Sequence, residues 1–331
     1  MLHIHNGDCS ANTAKKSNIP GEHLAWREAL ICGPVIKGLT EAEWRTLRAR
    51  HLAEAYGLKF DDCEKNLREQ QETLSRCSDH EEVVLWFDHD LFCQLHLIYL
   101  LDWFARQELG TARLSLICVG SFPGIDDFQG LGQLNSEQMA SLLPERQQVT
   151  AAELKLAAKA WAAFSSTNPR EIAALLADDS SALPFLQPAL RKHLERFPSA
   201  QNGLGLIENK ALELIAHGAS QFEPLFQEFG KAEPTYGLGD AQFWLMLRQV
   251  ADAAQPLLRI SNGDGLMRSS SSDFIKTSFA LTKTGQSVSR GDDDFIALNG
   301  IDTWLGGVHL QGKEVWRWDE KQEELIPKVG V

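Results

Sequence analysis

Residues 83–90 have the sequence VVLWFDHD, in which five consecutive apolar side chains are followed by two aspartates that flank a histidine. A continuous apolar run of this kind predicts a strand that is buried on both faces, as in a parallel sheet. Helix periodicity follows over residues 91–107, and Gly110 is expected to be the left-handed residue that ends this helix. A second buried strand is predicted at 114–119, which completes a βαβ unit.

The first residues of the chain predict one more strand of this sheet. Residues 2–6 have the sequence LHIHN and run into Asn6-Gly7-Asp8, a combination that favours a turn. We expect this strand to lie parallel to those at 83–87 and 114–119. Residues 1–149 are therefore predicted to form a Rossmann-like α/β domain with an open, mostly parallel sheet.

Between these strands the pattern is mainly helical. Residues 41–56 and 61–78 are predicted helices, and Thr40 with Glu43 forms a capping box at the start of the first. Residues 24–35 contain Trp26 and Arg27 and end in Gly33-Pro34, which predicts a strand or an irregular edge.

The composition becomes rich in alanine after residue 149, which predicts a helical connector over 150–199. Thr150 and Glu153 form a second capping box. Three helices are predicted in the connector, over residues 151–164, 169–177 and 184–197.

Residues 200–331 have the elements of a winged helix followed by a tail. Three helices and two hairpin arms are predicted, at 206–216, 221–229, 240–254, 257–260 and 278–281. Asn262-Gly263-Asp264-Gly265 provides turn chemistry after the first arm, and Ser269 to Asp273 is a polar loop. We predict a winged-helix-like α+β domain here.

The charge of the chain argues against nucleic acid as a partner. The net charge is -13, and residues 200–331 contain 12 basic and 18 acidic residues. The helix at 240–254, which would read DNA in a winged helix, has one basic residue, Arg248, beside Asp240 and Asp252. DNA readers usually present a basic face at this position. We expect this domain to be an interaction or structural element, with a protein as one candidate partner.

No stretch of the sequence predicts a membrane span or an export signal. The longest apolar stretch, Leu91 to Phe104, is shorter than the roughly 20 residues that a span needs. Met1 to Asp8 lacks a basic segment followed by an apolar one, so a cytoplasmic location is expected. The six cysteines are widely spaced, which favours free thiols over a disulfide framework or a zinc site.

Acidic residues follow two strands of the predicted sheet. Asp8 follows the first strand, and Asp88 and Asp90 follow the strand at 83–87, with His89 on the opposite side. Because ligands bind beyond the carboxyl ends of parallel strands, we expect Asp8, Asp88 and His89 to be catalytic residues that line one cleft. Carboxylate oxygens suit Mg²⁺ or Mn²⁺, and a carboxylate beside a histidine suits acid–base catalysis, so a divalent metal is one option.

Structural roles compete with these functional ones. Asp90 precedes a helix and is a natural N-cap, and Asn6-Gly7-Asp8 is ordinary turn chemistry. His89 could be a hydrogen-bonded core residue. Asp88 ends an apolar strand, where a bare carboxylate is costly, so it needs a partner: a metal, Arg27 or a backbone donor.

Other polar residues could complete a ligand site. We expect Asn6, Asp90 and Gln133 to orient a ligand. Gly130-Leu131-Gly132 is not followed by Lys-Ser/Thr, so it is not a phosphate-binding P-loop, and a nicotinamide fingerprint is missing as well.

The tail after residue 299 contains Gly306-Gly307, which predicts a tight turn. We expect Trp304 and Leu305 to be buried against the rest of the protein and to anchor the tail. A functional alternative is that His309 completes a cleft with the first domain.

Several of these stretches resemble a known bacterial family. Residues 1–8, 84–91 and 130–134, together with a tail like that at 298–310, are similar to the family catalogued as domain of unknown function 1835. The resemblance covers most of the chain. It implies a cytoplasmic protein with this domain layout, and it lends no activity.

Two functions are consistent with this sequence. The first is an enzyme-like domain that acts on a small polar or phosphorylated ligand by hydrolysis or group transfer. The second is a non-enzymatic, ligand-sensing regulator whose C-terminal domain contacts a partner. An enzyme should keep its acids in an open cleft, whereas an interaction protein should use Asp88 and Asp90 in caps and internal pairs.

Overall fold

A five-stranded sheet organises the N-terminal part of the protein, whose computed structural model describes residues 1–261 and 277–327. Its strands are β1 (Leu2–His5), β2 (Glu22–Ala25), β3 (Glu82–Asp88), β4 (Arg113–Val119) and β5 (Gln147–Gln148). They lie in the order β2-β1-β3-β4-β5, and all neighbours are parallel except β4 and β5. The predicted α/β class and the parallel arrangement of the three predicted strands are therefore confirmed.

Strand β3 is buried along its whole length because both faces of the sheet are covered. Val83, Leu85 and Phe87 belong to the main hydrophobic core. Val84 and Trp86 point to the opposite face and belong to a smaller core. Side chains alternate along a strand, so the unbroken apolar run supplies both cores at once.

Helices cover the two faces of the sheet. They are α1 (Asp8–Lys16), α2 (Glu41–Tyr56), α3 (Phe60–Ser75), α4 (Leu91–Phe104) and α5 (Ser136–Leu142). Helix α1 contacts α5 on the side of the smaller core, whereas α4 belongs to the main core. The predicted capping box of Thr40 and Glu43 is present at the start of α2.

Helix α4 ends earlier than its sequence pattern predicts. Its last helical residue is Phe104, so Gly110 is not its left-handed cap. The N–H groups of Arg106 and Gln107 bond to carbonyls three residues back, which tightens the chain and ends the helix. Gly110 has a φ of 58° and instead lies in the turn that leads to β4.

The predicted helical connector packs directly on the first domain. Its helices are α6 (Ala151–Phe164), α7 (Arg170–Leu175) and α8 (Leu186–Leu194). Helices α6 and α8 both pack against α4. Small side chains such as Ala157 and Ala160 are fully buried, and one continuous hydrophobic core runs from Leu2 to Leu325.

The C-terminal part contains the predicted helices and hairpin. Its first elements are α9 (Leu206–Ala216), α10 (Phe222–Ala232), α11 (Asp240–Ala251), β6 (Leu258–Ser261) and β7 (Ser278–Leu281). Strands β6 and β7 are antiparallel, with Leu258 opposite Leu281. The predicted turn at 262–265 and polar loop at 269–273 lie outside the described residues.

The chain then forms small elements that pack back on the earlier ones. They are α12 (Lys283–Ser289), α13 (Phe295–Asn299), β8 (Ile301–Leu305), β9 (Val308–Gly312), β10 (Arg317–Asp319) and β11 (Glu324–Ile326). Strands β8 and β9 form an antiparallel hairpin, as do β10 and β11.

The turn between β8 and β9 anchors the tail. Its Gly306 carbonyl accepts a hydrogen bond from Val35 N at 3.0 Å, and Gly307 N donates to Phe164 O at 2.9 Å. Leu305 is buried as predicted. Trp304 is only half-buried, contrary to the prediction. Its ring stacks on that of His309 in the same hairpin, with 4.3 Å between the ring centroids.

No helix in the described ranges is both long and apolar enough to cross a membrane.

We expect the substitution Gly307→Ala to destabilise the protein by about 1–3 kcal/mol, the usual cost of forcing extra atoms into a packed site. A Cβ atom at this position would lie 2.2 Å from Ser165 O, which is backbone and cannot rotate away. Urea unfolding should show the loss as a lower midpoint.

Gly230→Ala is the matched control, since a Cβ there meets no atom within 4 Å. It lies within α10 and should leave stability unchanged or raise it by up to about 1 kcal/mol. Equal midpoints for Gly307→Ala and the wild type would show that the turn does not anchor the tail.

Candidate functional site

The strand order places the predicted site residues at a topological switch point. After β1 the chain crosses to β2 on one side, and after β2 it crosses back to β3 on the other side of β1. Asn6-Gly7-Asp8 follows β1, and Asp88-His89-Asp90 lies at the end of β3. Ligands of open α/β sheets bind at such a point, beyond the carboxyl ends of the strands.

Asp8 lies on the exposed rim of this edge. It is the first residue of α1, and both of its oxygens accept hydrogen bonds from Arg27, at 2.6 and 2.7 Å. These bonds hold the pKa of Asp8 below its usual value. Asp8 is thus about half exposed and is paired with Arg27 at the surface.

The segment that carries Arg27 is fixed by a buried ion pair. Arg48 of α2 is fully buried and pairs with Glu28 at 2.7 Å. Its guanidinium also donates to the carbonyls of Ala29, Cys32 and Pro34. Arg48 thus satisfies several backbone carbonyls of the irregular segment after β2, and Gln70 bonds to the backbone of Arg27 as well.

Asp88 is enclosed by the glycine-containing segment at 130–132. Only 8% of the residue is exposed, and its Oδ1 atom accepts a hydrogen bond from Leu131 N at 2.8 Å. Gly130 has a φ of 150°, and a Cβ there would lie 2.9 Å from the carboxyl group of Asp88. Of the partners expected for Asp88, the structure therefore shows a backbone donor, and Arg27 pairs with Asp8 instead.

Asp90 has the capping role that competed with a functional one. It is the N-cap of α4 and accepts a hydrogen bond from Cys93 N at 2.8 Å. It is 5% exposed. Gly237, which precedes α11, packs against it so closely that a Cβ would lie 2.1 Å from Oδ1. A residue of the C-terminal part thus closes over the strand end.

Asp88, Asp90 and Cys93 form a compact buried cluster. One ligand atom from each lies within 4.8 Å of the others. Burial, and then the negative charge of Asp90, raises the pKa of Asp88 to about 8, and burial raises the pKa of Asp90 as well. The pair therefore retains a proton near neutral pH.

This cluster differs from the expected metal ligands. Mg²⁺ and Mn²⁺ prefer sites made of oxygen atoms, whereas the third group here is a thiol. Burial raises the pKa of Cys93 well above its usual value, so the thiol retains its proton. As described, the cluster is better suited to holding protons than to binding these metals.

Asn6 links the end of β1 to the cluster. Its Nδ2 atom donates to Cys93 Sγ at 2.6 Å, and its Oδ1 atom lies 2.8 Å from His96 Nδ1. Leu30 N donates to His96 Nε2 at 3.3 Å, so the ring proton lies on Nδ1 and faces Asn6. Burial lowers the pKa of His96 to about 4, which keeps the ring neutral.

The remaining predicted site residues do not join this cluster. His89 is half-buried and contacts Phe185, and its Nδ1 atom has no hydrogen-bond partner. Gln133 accepts a hydrogen bond from Gln129 N at 2.7 Å and donates to Asp127 O, so it braces its own loop. It does not point to a ligand.

His309 does not complete a cleft with the first domain either. It lies 2.7 Å from Asp302 and stacks on Trp304, so its contacts lie within the tail hairpin. The prediction for His309 followed its position next to a glycine pair, whereas the hairpin register determines where the ring points.

A stack of histidines, which was not predicted from the sequence, lies on the face of the sheet that carries Trp86. His3 and His5 point to the same face of β1, and the ring of His23 on β2 stacks on both of them. The Nδ1 atom of His23 lies 3.0 Å from the Nε2 atom of His5. Burial lowers the pKa of His3 to about 4 and of His5 to about 2. Their spacing of two residues was the signal for a shared face.

Known proteins give no guide to this site: no protein-family model matches the chain, and no curated protein matches it either.

The buried acid pair should make stability depend on pH in a definite direction. Because the pKa of Asp88 is about 8 in the folded state and about 4 when unfolded, the unfolded chain loses this proton first. The stability that comes from the protonated Asp88 carboxyl is therefore present below pH 4 and is lost as the pH rises towards 8. Asp88→Asn should gain stability relative to the wild type as the pH rises from 5 to 8.5.

Urea unfolding of both proteins at several pH values measures this difference. The contribution of the buried histidines, which is lost as the pH falls from about 6.5 to about 4, is common to both proteins and cancels. Asp127→Asn removes an exposed carboxylate and controls for the change in net charge. Identical pH dependences in Asp88→Asn and the wild type would contradict the raised pKa.

Proposed function

We propose that the N-terminal domain binds a small polar or phosphorylated ligand at the switch point between β1 and β3. The strand order carries this proposal, because ligands of open α/β sheets bind at the carboxyl ends of the strands where the order reverses, here β1 and β3. Asn6, Asp8 and Arg27 border this edge, and Asp8 and Arg27 are both about half exposed. A ligand can therefore reach the rim without entering the core.

The start of α1 supports an anionic group in the ligand. Gly7 is its N-cap and supplies no side-chain hydrogen bond to the first turn of the helix. Free N–H groups and the helix dipole favour an anion such as phosphate at that end. Arg27 lies beside the start of α1 and donates two hydrogen bonds to Asp8. When an anion binds, the guanidinium would release Asp8 and donate the same two parallel hydrogen bonds to the anion.

The contacts of the two buried acids favour the role of a ligand-sensing regulator. Asp90 is used as a helix cap and is covered by Gly237, and Asp88 is enclosed at Gly130. Neither carboxylate is free in an open cleft. The contact with Gly237 joins the switch point directly to the helices and hairpin of the C-terminal part, which we propose to be winged-helix-like and to contact a protein partner.

The second candidate is an enzyme that performs hydrolysis or group transfer. One observation favours it: the pKa of Asp88 is raised to about 8, so this carboxyl could give or take a proton near neutral pH. His89 lies next to it in the sequence. For this role the segment at Gly130 would have to open and expose Asp88.

The proposed family is the one catalogued as domain of unknown function 1835. Its two long N-terminal stretches, residues 1–8 and 84–91, coincide with β1, β3 and the turns that follow them. The stretches that carry the resemblance therefore include Asn6 and Asp8 of the proposed site, whereas Arg27 lies outside them. A cytoplasmic location is part of this proposal.

Arg27→Met should abolish ligand-induced stabilisation. We would screen the full chain by thermal shift against phosphorylated sugars, nucleotides and inorganic phosphate. The variant loses a charge-assisted, two-point contact, so the Kd of any ligand found should rise at least tenfold. Arg290→Met is the matched control, because it removes another exposed arginine that pairs with a neighbouring aspartate.

The same ligands separate the two roles. Each would be incubated with the protein and followed by NMR: an unchanged ligand, together with altered hydrogen exchange at residues 234–239, indicates a regulator. Conversion that is lost in Asp88→Asn indicates an enzyme. If no compound stabilises the wild type, or if Arg27→Met responds as the wild type does, the proposed site is wrong.

A further inference from the structure

A second cavity lies where the first domain, the C-terminal helices and the tail meet. Its volume is about 320 Å³, within the range of small-molecule sites. The segment after β2 and helix α2 form one wall, α9 and α11 form another, and strand β8 of the tail hairpin closes a third side. Asn6, Asp8 and Asp88 are not among its lining residues, so this cavity is distinct from the switch point.

The cavity contains a buried arginine without a partner. Arg196 follows α8 and is only 9% exposed. Its guanidinium makes no hydrogen bond or ion pair within 4 Å to any residue in the described ranges, and its Nη1 atom is fully buried. A buried cation without a partner is costly, whereas Arg48, which is fully buried, is fully paired. An anion in the cavity would remove this cost.

A carboxyl group lies in the same cavity. Glu208 of α9 is half-buried and lines the cavity. It forms no ion pair with Arg196, since its carboxylate oxygens do not lie within 4 Å of the guanidinium nitrogens. Burial gives Glu208 a raised pKa, and the positive charge of Arg196 offsets only part of this increase. Gly205 leaves room for this group, because a Cβ there would lie 2.7 Å from Glu208 Oε2. The two charged groups are therefore held apart in one space.

A neutral histidine adds a third polar group. His51 of α2 lines the cavity, and its Nε2 atom is buried without a partner. Burial, assisted by the charge of Arg48, lowers the pKa of His51 to about 4, so the ring is neutral. Gly33 packs against the ring and fixes its position. The rest of the lining is mainly apolar and includes Ile207 and Met246.

We propose that this cavity binds a small molecule of the amino-acid class, with a carboxylate at Arg196, an amino group at Glu208 and an apolar body against Ile207 and Met246. An anion alone would satisfy Arg196 and leave Glu208 without a partner. An amine alone would leave Arg196 unpaired. A molecule that carries both groups pairs with both, and the neutral imidazole of His51 can accept or donate one more hydrogen bond.

Calorimetric titration of the full chain tests the ligand class. The probes are the twenty L-amino acids, inorganic phosphate, and two analogues of L-leucine: 4-methylpentanoate, which lacks the amino group, and isoamylamine, which lacks the carboxylate. We expect one or more amino acids with apolar side chains to bind. 4-Methylpentanoate should bind at least tenfold more weakly than L-leucine, and isoamylamine should give no heat.

Three variants test the site. Arg196→Met should weaken binding at least tenfold and, because the arginine has no partner, should leave the melting temperature without ligand unchanged or higher. Arg191→Met is its control, since this residue of α8 pairs with Glu323 at the surface. Ala55→Phe keeps every charge but fills the cavity, and it should abolish binding.

Arg27→Met separates this site from the switch point, and it should bind amino acids as the wild type does. The proposal is overturned if no amino acid binds the wild type, or if phosphate or 4-methylpentanoate binds as tightly as L-leucine. It is also overturned if Arg196→Met and Ala55→Phe retain wild-type affinity. A lower melting temperature in Arg196→Met would assign the arginine a structural role instead.

Discussion

The buried guanidinium of Arg48 is the interaction on which both sites depend. The segment after β2 has no regular structure over residues 26–40, yet it forms one side of each site. Arg48 holds it by pairing with Glu28 and by donating to three backbone carbonyls. A buried arginine is stable here because its charge and its donors are all used.

This one segment has contacts in three directions. Arg27 reaches Asp8 at the switch point, and Leu30 N fixes the tautomer of His96. Gly33 packs against His51 in the second cavity, and Val35 N binds the tail at Gly306. A ligand that displaced one of these contacts would therefore act on a segment that is shared by both sites. This arrangement is consistent with the proposed regulatory role.

The acid pair at the end of β3 shows how a polar group can be built into a core. Asp88 and Asp90 lie close together because alternate residues of an extended chain point to the same side. The helix start uses Asp90, and the turn at Gly130 uses Asp88. Glycines 130 and 237 allow two separate parts of the chain to close over these carboxyl groups. The resulting burial raises the pKa of both carboxyl groups, and the charge of Asp90 raises that of Asp88 further.

The sequence alone determined the elements whose signals are local. The two-sided apolar run at 83–87, the capping boxes at Thr40 and Thr150, and the N-cap at Asp90 follow from side chains within a few residues of each other. Periodicity and capping depend on neighbours in the chain, which a sequence displays directly. The parallel sheet was predictable for the same reason.

Only the tertiary structure decided which distant groups meet. Arg27 pairs with Asp8 and not with Asp88, Gly237 covers Asp90, and Arg196 lies unpaired in a cavity. Each of these facts depends on the crossing of elements far apart in the chain, so no local pattern predicts it. Whether a carboxylate is exposed or buried depends on those crossings, and burial controls its charge.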